Sequence, residues 1–285
     1  MRDNFYNTNS MSNNYGENAP LSYNKYLKVH ELTDLQKCLS NPVQHNELLF
    51  IIIHQTYELW FKQILHEIDA AIRWMNEGRV PMATRAMRRV VEIEHVLVNQ
   101  VRILETMTPY GFLLFRDELK PASGFQSTQF REIEFVSGAK DERILKYFQT
   151  DEKALGNLKA RLAEPTLGEV FFGVLKHRGF DVLTDDASLS EAERKENFIK
   201  RTQAIVLLLT DFEKYPEEFE MQEALIEHDE LISLWRAHHV KMVERMVGTK
   251  QGTGGSEGVG YLKTTLEKKF FPELWEARTH LESKG

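Results

Sequence analysis

Long segments in which apolar residues recur at three- and four-residue steps constrain this fold more than any other feature. The clearest segment begins at Val80-Pro81 and extends to about Met107. Its apolar positions are Met82, Ala86, Val90, Ile93, Leu97, Val101 and Leu104. Such a stripe covers one face of an α-helix, and the sequence has no segments with the two-residue alternation of a strand. We therefore predict an all-α fold, a bundle of several helices.

Capping signals predict where the other helices begin. Asn41-Pro42 resembles an N-cap followed by proline in the first turn, which predicts a helix to about Met75. Further helices are predicted near 128–137, 141–162, 165–178 and 188–211, and from Pro216 to about Val247. Residues 1–20 include six asparagines and little that could be buried. We expect a flexible arm over 1–20 and a single helical domain over 21–285.

Composition excludes several classes of function. The formal charge is −7 and no long basic run is present, which argues against nucleic-acid binding. Cys38 is the only cysteine, which excludes an internal disulfide and a cysteine-built metal site and suits a reducing compartment such as the cytoplasm. The longest apolar runs fall far short of the roughly 20 residues that a membrane span needs. We expect a cytoplasmic protein that does not bind membranes.

Two histidines interrupt the apolar stripes of the longest predicted helices. His54 shares a helix face with Phe50, Tyr57, Phe61 and Leu65, because residues three and four apart stack on a helix. His239 lies in a second stripe, whose other members are Ile232, Trp235, Met242, Val243 and Met246. A single buried histidine is more often a core residue than a ligand. Two of them facing an apolar interior would also suit a haem or another flat cofactor.

A di-iron site is the other metal centre common in helical bundles. It would need paired Glu-x-x-His motifs, and the sequence has only the one that ends at His95. The acidic run 227–230, Glu-His-Asp-Glu, is interpreted as a solvated helix surface, because adjacent residues on a helix point in different directions. Neither is predicted to bind metal.

Two irregular regions contain polar groups suited to a small ligand. The segment GTKQGTGGSEGVG contains six glycines between Gly248 and Gly260, with Thr253 near its centre. It lacks the signature of a phosphate loop, and it is either a binding loop or a mobile linker. Arg116, in FLLFRDEL, could pair with a neighbouring acid or bind a carboxylate through two parallel hydrogen bonds.

Three segments together resemble the tryptophan 2,3-dioxygenase family in its compact bacterial form: HQTYELWFKQILHEID, FRDELKPASGFQS and HHVKMVERMVGTKQGTGGSEGVGYL. The resemblance extends from about residue 22 to 274 and is weakest over 140–200. It implies a helical bundle enclosing a b-type haem, ferrous in the active form. It further implies that O2 is inserted across the indole C2–C3 bond of L-tryptophan, giving N-formyl-L-kynurenine, the first step of tryptophan catabolism by the kynurenine pathway.

The resemblance also implies roles for individual residues. His239 would be the proximal haem ligand, and His54 the distal catalytic residue that accepts a hydrogen bond from the indole N–H. Arg116 would bind the substrate carboxylate, and Thr253 the amino-acid end together with a haem propionate. The remaining family positions that border the substrate are Phe50, Phe112, Ser123 and Gly124. Phe112 is tyrosine in some relatives, so a phenol hydroxyl is absent here.

The resemblance further implies a homotetramer in which the N-terminal segment of each subunit completes the active site of a neighbour. Tyr23, Tyr26 and Leu27 match the family residues that enter the neighbouring site. With Leu32 they would share one face of a single helix, which needs a groove to lie in. Three alternatives are a haem sensor or carrier, a helical scaffold without cofactor, and an indoleamine-type dioxygenase with a looser substrate range.

Overall fold

The computed structural model describes residues 21–184, 189–248, 250 and 259–282. Within these ranges every regular element is a helix, which confirms the all-α prediction. Contacts divide the chain into two compact units, Met1–Lys37 and Cys38–Gly285. The arm predicted over residues 1–20 lies outside the described ranges, so its flexibility stays a prediction.

The described part of the first unit contains two short helices, α1 (Tyr23–Leu27) and α2 (Val29–Thr33). Ser22 caps α1, because its hydroxyl accepts a hydrogen bond from the backbone N–H of Lys25 at 3.3 Å. Lys28 adopts a left-handed conformation with a φ of 55°, which ends α1 and precedes α2. The prediction of one continuous helix through Leu32 is therefore wrong.

Three long helices form the centre of the second unit: α3 (His45–Asn76), α4 (Val80–Leu104) and α10 (Pro216–Val247). α4 packs along both α3 and α10, and the stripe predicted from Val80 onward lies in the core except for Met82, which is half-buried. The start of α3 differs from the prediction, because Asn41-Pro42 is a cis peptide in the segment before the helix and Gln44 is the N-cap. Buried Glu47 holds that segment by accepting the backbone N–H groups of Leu39 and Ser40.

Shorter helices surround this centre. They are α5 (Pro109–Arg116), α6 (Thr128–Ser137), α7 (Glu152–Ala163), α8 (Leu167–His177), α9 (Glu191–Thr210), α11 (Val259–Lys263) and α12 (Pro272–Thr279), with 3-10 turns at Asp117–Leu119, Gly124–Gln126 and Glu142–Phe148. α8 and α9 begin with capping boxes at Thr166 and Ser190. In each box, the side chain of the glutamate at the third helical position, Glu169 or Glu193, accepts the backbone N–H of the cap residue. The single helix predicted over 141–162 is a 3-10 turn followed by α7.

The run from Glu227 to Glu230 is solvated only at its two ends, where Glu227 is half exposed and Glu230 is exposed. His228 and Asp229 are completely buried. The His228 Nδ1 lies 2.7 Å from the Glu94 carboxylate on α4, and its Nε2 lies 2.9 Å from the Ser137 hydroxyl on α6. Asp229 accepts the backbone N–H groups of Phe270 at 2.9 Å and Phe271 at 3.1 Å, the two residues that precede α12. The prediction of a solvated surface is wrong for His228 and Asp229, because α10 is covered on more than one side and these neighbours, which point in different directions, are both buried.

None of the helices in the described ranges is long and apolar enough to cross a membrane.

Candidate active site

A cavity of about 310 Å³ lies in the second unit, between α3, α5, α6, α10 and α11. Its α3 wall includes Glu58 and four residues that are three or four positions apart: Phe50, His54, Tyr57 and Phe61. The periodicity of α3 thus directs one aromatic stripe, with His54 within it, toward the cavity. Most of the other lining side chains are apolar or aromatic, as in sites for flat organic ligands.

His54 is fixed in one tautomer. Its Nδ1 lies 2.7 Å from the backbone carbonyl oxygen of Phe50. A carbonyl oxygen only accepts hydrogen bonds, so Nδ1 carries the proton and Nε2 presents a lone pair. Burial lowers the pKa of the His54 imidazole, although the hydrogen bond to Phe50 and the charge of Glu58 oppose the shift. The ring is therefore neutral near pH 7, and Nε2 is a hydrogen-bond acceptor.

His239 reaches the same cavity from α10. Burial, together with a smaller contribution from the nearby His54, lowers the pKa of its imidazole to about 4. The ring stacks on Trp235, one turn earlier, with centroids 5.4 Å apart and planes 10° from parallel. His238 points elsewhere, because its Nε2 lies 3.6 Å from the Glu105 carboxylate. His239 therefore lines the cavity and His238 does not, and the role of His239 as a haem ligand stays a prediction.

α5 and the turns after it supply the other predicted cavity residues. The hydroxyl of Thr108 caps α5 by accepting the N–H of Gly111 at 3.0 Å. Phe112 and Arg116, one turn apart on this helix, line the cavity. The Phe112 ring lies 5.8 Å from the ring of Phe50, at 30° to it. An aromatic pair thus borders a guanidinium that could bind a carboxylate.

Ser123 and Gly124 lie at the cavity in a tight 3-10 turn. The Ser123 hydroxyl accepts a hydrogen bond from the backbone N–H of Phe125 at 3.3 Å. The backbone N–H of Ser123 donates to the Gln126 side-chain oxygen at 3.1 Å. A Cβ built on Gly124 would meet no atom within 4 Å. The protein itself therefore does not require a glycine there, and the open space is available to a ligand.

Not every predicted site residue can be placed at this cavity. Thr253 lies outside the described residues. Tyr23, Tyr26 and Leu27 belong to α1 of the first unit, where all three side chains are exposed. Their roles stay predictions.

Four charged cavity residues were not predicted from the sequence: Glu58 on α3, Arg131 and Glu134 on α6, and Arg236 on α10. Arg131, Glu134 and Arg236 are each at least nine-tenths buried. One signal could have indicated them, since Arg236 precedes His239 by three positions and so shares its helix face. Nothing in the sequence links Glu134 to Arg236, which are 102 positions apart.

The donor set fits a haem better than a bare metal ion. No group of three or more His, Cys, Asp or Glu side chains suited to a metal is found among the described residues. A haem needs few protein ligands, because the porphyrin supplies four nitrogens. The neutral His239 ring makes no hydrogen bond to a described residue and can donate a lone pair to iron. The aromatic walls and the space at Gly124 also suit a flat cofactor.

Comparisons with known proteins agree with this geometry. The sequence profile described as tryptophan 2,3-dioxygenase matches residues 7–170 and 177–281. The chain is 46% identical over 289 residues to a protein of Nocardioides sp. named tryptophan 2,3-dioxygenase, covering 99% of this chain and 100% of that protein. Proteins of the same name from Herpetosiphon aurantiacus and Caulobacter vibrioides are 42% and 41% identical, each covering 92% of this chain and 98% of the relative. The chain belongs to the tryptophan 2,3-dioxygenase family.

Proposed function

We propose that the protein is a haem-dependent dioxygenase that inserts both atoms of O2 across the indole C2–C3 bond of L-tryptophan. The product is N-formyl-L-kynurenine, and the reaction is the first step of tryptophan catabolism by the kynurenine pathway. Family membership supports the dioxygenase activity. The observation that carries the haem assignment is the pair of neutral histidines, His54 and His239, in one aromatic cavity.

His239 would hold the haem iron. When bound, the haem supplies a redox-active iron at which O2 can react with the substrate. The low pKa of the His239 imidazole favours this role, because a proton then competes weakly for the ligand nitrogen. Trp235, stacked on the ring, restricts its orientation on α10.

The other cavity residues would orient the substrate. Arg116 can hold the carboxylate of tryptophan with two parallel hydrogen bonds, and Phe50 and Phe112 can pack against the indole. His54 Nε2 can accept the indole N–H, because the hydrogen bond to Phe50 leaves that nitrogen unprotonated. In this arrangement His54 acts as an oriented acceptor, and fixing the substrate at both ends places the C2–C3 bond for reaction. We assign Thr253 to the amino-acid end of the substrate, and Ser123 and Gly124 to the border of the site.

We further propose a cytoplasmic homotetramer in which α1 of one subunit completes the site of its neighbour. Tyr23 and Tyr26 are 74% and 71% exposed, a costly arrangement for two aromatic side chains unless a partner covers them. A second set of large apolar side chains is exposed on α3 and α4: Leu59, Trp60, Val96 and Ile103. Both surfaces favour assembly of several copies.

An anaerobic titration tests this function. Purified protein is reconstituted with haem, reduced, and titrated with L-tryptophan while the Soret band is followed. We expect the Soret band to change in a saturable way as L-tryptophan is added, and N-formyl-L-kynurenine to form when air is admitted. D-tryptophan and tryptamine should react far more slowly, because each fails to present the carboxylate and amine correctly. Equal turnover of all three would favour the indoleamine-type alternative. A protein that binds haem but whose Soret band does not change on addition of tryptophan would be a haem sensor or carrier.

A further inference from the structure

One buried carboxylate holds residues 38–44, the segment that leads into α3. Glu47 occupies the third position of α3 and is 1% exposed. It accepts hydrogen bonds from the backbone N–H of Leu39 at 2.6 Å, from the backbone N–H of Ser40 at 3.1 Å and from the Ser40 hydroxyl. The Ser40 hydroxyl in turn accepts the backbone N–H of Gln44, the N-cap of α3, at 2.9 Å. Three donors thus converge on one side chain.

Apolar packing contributes little to holding this segment. Leu39 and Val43 are 65% and 69% exposed, whereas Ser40 is 5% exposed. A buried carboxylate costs free energy unless hydrogen bonds compensate it, and three donors compensate the carboxylate of Glu47. The hydrogen bonds to Glu47 therefore fix the segment where its apolar side chains do not.

Glu47 is charged near neutral pH. Burial raises the pKa of the Glu47 carboxyl, but hydrogen bonds from the Ser40 hydroxyl and from the backbone of Leu39 and Ser40 outweigh burial and hold the pKa below its usual value. A carboxylate accepts hydrogen bonds at both oxygens, whereas a glutamine amide accepts at only one. Glu47→Gln would therefore lose part of this set of hydrogen bonds and would place an NH2 group against backbone donors.

The anchor lies close to the cavity along α3. Glu47 precedes Phe50, which lines the cavity, by three positions, so the two are about one helical turn apart. In the other direction, the chain leads from Leu39 back to α2 and α1. Glu47 thus sets the point at which the N-terminal chain leaves the helix that also contains His54.

We propose that Glu47 is a positioning residue, which holds Leu39 and Ser40 so that the N-terminal chain is directed toward the site of a neighbouring subunit. The inference rests on the proposed assembly, in which α1 of one subunit completes the neighbouring site. The anchor shortens the free tether of α1 and gives it one direction, which raises the effective concentration of α1 at that site. Without the anchor, a smaller fraction of the sites is complete, and tryptophan binds more weakly in proportion.

Kinetics of Glu47→Gln, in the full-length haem-reconstituted enzyme and in the 1–30 deletion, tests the proposal. In the full-length enzyme, KM for tryptophan should rise by about two- to fivefold, because α1 reaches the site less often. The kcat should not change, because saturating tryptophan draws α1 back into place. In the 1–30 deletion, Glu47→Gln should change neither constant, because α1 is already absent. A rise of KM in both backgrounds would show a merely structural effect on α3 and would overturn the proposal, as would an unchanged KM in the full-length enzyme.

Hydrogen exchange gives a readout that does not depend on activity. The backbone amides of Leu39 and Ser40 should exchange about tenfold faster in Glu47→Gln than in the wild-type protein, because they lose a charged acceptor. Equal exchange rates would show that Glu47 does not hold the segment and would overturn the proposal. If Glu47→Gln does not fold, Ser40→Ala removes only the hydroxyl and should shift KM and exchange in the same direction by less.

Glu169 supplies a matched control. It also occupies the third position of its helix, α8, and it accepts the backbone N–H of Thr166 at 2.7 Å. It does not line the cavity. Glu169→Gln should keep the wild-type KM and the wild-type exchange of Leu39 and Ser40. An equal rise of KM in Glu169→Gln would show that loss of any such hydrogen bond weakens the enzyme, and would overturn the proposal.

The 1–30 deletion separates a failure of this proposal from a failure of the proposed assembly. If the deletion raises KM and Glu47→Gln does not, α1 contributes to the neighbouring site and only the role of Glu47 is wrong. If the deletion keeps the wild-type KM, α1 makes no such contribution, and the positioning role of Glu47 is overturned with it. A wild-type enzyme that does not turn over tryptophan would overturn both.

Discussion

At the scale of single residues, two ring nitrogens determine what the cavity can do. The His54 Nδ1 donates to the Phe50 carbonyl, which leaves Nε2 as a hydrogen-bond acceptor, the role proposed for it toward the substrate. His239 is kept neutral by burial, which makes it a ready iron ligand. Sequence periodicity predicted both positions. It could not predict the tautomer of His54, because that depends on a backbone carbonyl and its distance from the ring.

Replacing His239 tests the iron ligand. His239→Ala should fold as a helical protein, retain little haem and show no turnover, because the side chain that would hold the haem iron is removed. His238→Ala is the matched control, since His238 faces Glu105 away from the cavity. It should keep its haem. Absorbance of the Soret band relative to protein measures both, and haem loss only in His238→Ala would contradict the assignment.

Two substitutions separate substrate orientation from substrate binding. His54→Ala should keep haem and lower activity without abolishing it, because one hydrogen bond worth about 0.5–1.5 kcal/mol is lost. Arg116→Lys should raise KM for tryptophan more than His54→Ala does, since lysine cannot form two parallel bonds to a carboxylate. Steady-state kinetics measures the ranking. An unchanged KM in Arg116→Lys would remove Arg116 from the carboxylate role.

Stability of the apoprotein should depend on pH through His239. An imidazole titrates near pH 6.5 in an unfolded chain, whereas the His239 pKa in the folded protein is about 4. Between these values the unfolded chain binds more protons, so acid favours unfolding. The free energy of unfolding should fall by about 3 kcal/mol for this residue between pH 6.5 and 4.

His239→Ala apoprotein provides the comparison. Its free energy of unfolding, measured by denaturant at pH 7 and pH 4.5, should fall less than that of the wild-type apoprotein. Any packing loss caused by the substitution is the same at both pH values and cancels in the difference. Parallel losses in the two proteins would show that His239 keeps an ordinary pKa.

At the scale of helices, buried polar contacts fix how α10 packs. His228 joins α10 to Glu94 on α4 and Ser137 on α6, and Asp229 holds the backbone of Phe270 and Phe271 just before α12. Burial raises the pKa of Glu94, and His228 opposes that rise. These contacts could not be predicted from the sequence, because His228 is 91 positions from Ser137 and 134 positions from Glu94. Most of the long helices could be predicted, because periodicity and capping are local properties.

His228→Ala should destabilise the protein by about 3 kcal/mol, because it leaves the Glu94 carboxyl and the Ser137 hydroxyl buried without their partner. His95→Ala is the control. His95 is half exposed and makes only a long contact with Glu227, so its loss should change stability by less than about 0.5 kcal/mol. Denaturant unfolding of both apoproteins gives the comparison. Equal effects would show that the buried contacts contribute little.

At the scale of the whole molecule, the proposed function requires that several copies of the chain assemble, because α1 of one subunit is assigned to the site of its neighbour. The sequence predicted an apolar face on the N-terminal segment but not its division at Lys28, because that left-handed residue is not glycine and gives no local signal. The exposed tyrosines of α1 remain the feature that favours a contribution to another copy of the chain.

Truncation tests this contribution. Removing residues 1–18 should leave activity nearly intact, whereas removing 1–30 deletes α1 and should raise KM for tryptophan sharply and weaken the oligomer. Co-expression of the 1–30 deletion with His239→Ala should restore partial activity, because the truncated chain keeps a haem pocket and can receive the missing tyrosines. Hetero-oligomers with no more activity than the truncated protein alone would contradict the exchange.

The cavity that contains His54 and His239 is proposed to be a haem site where both atoms of O2 are inserted into tryptophan. Turnover under ¹⁸O₂, followed by mass spectrometry of the product, tests it most directly. The wild-type, haem-reconstituted protein should give N-formyl-L-kynurenine that contains two labelled oxygen atoms, and His239→Ala should give none. Product with a single labelled atom, or undiminished product from His239→Ala, would contradict the account.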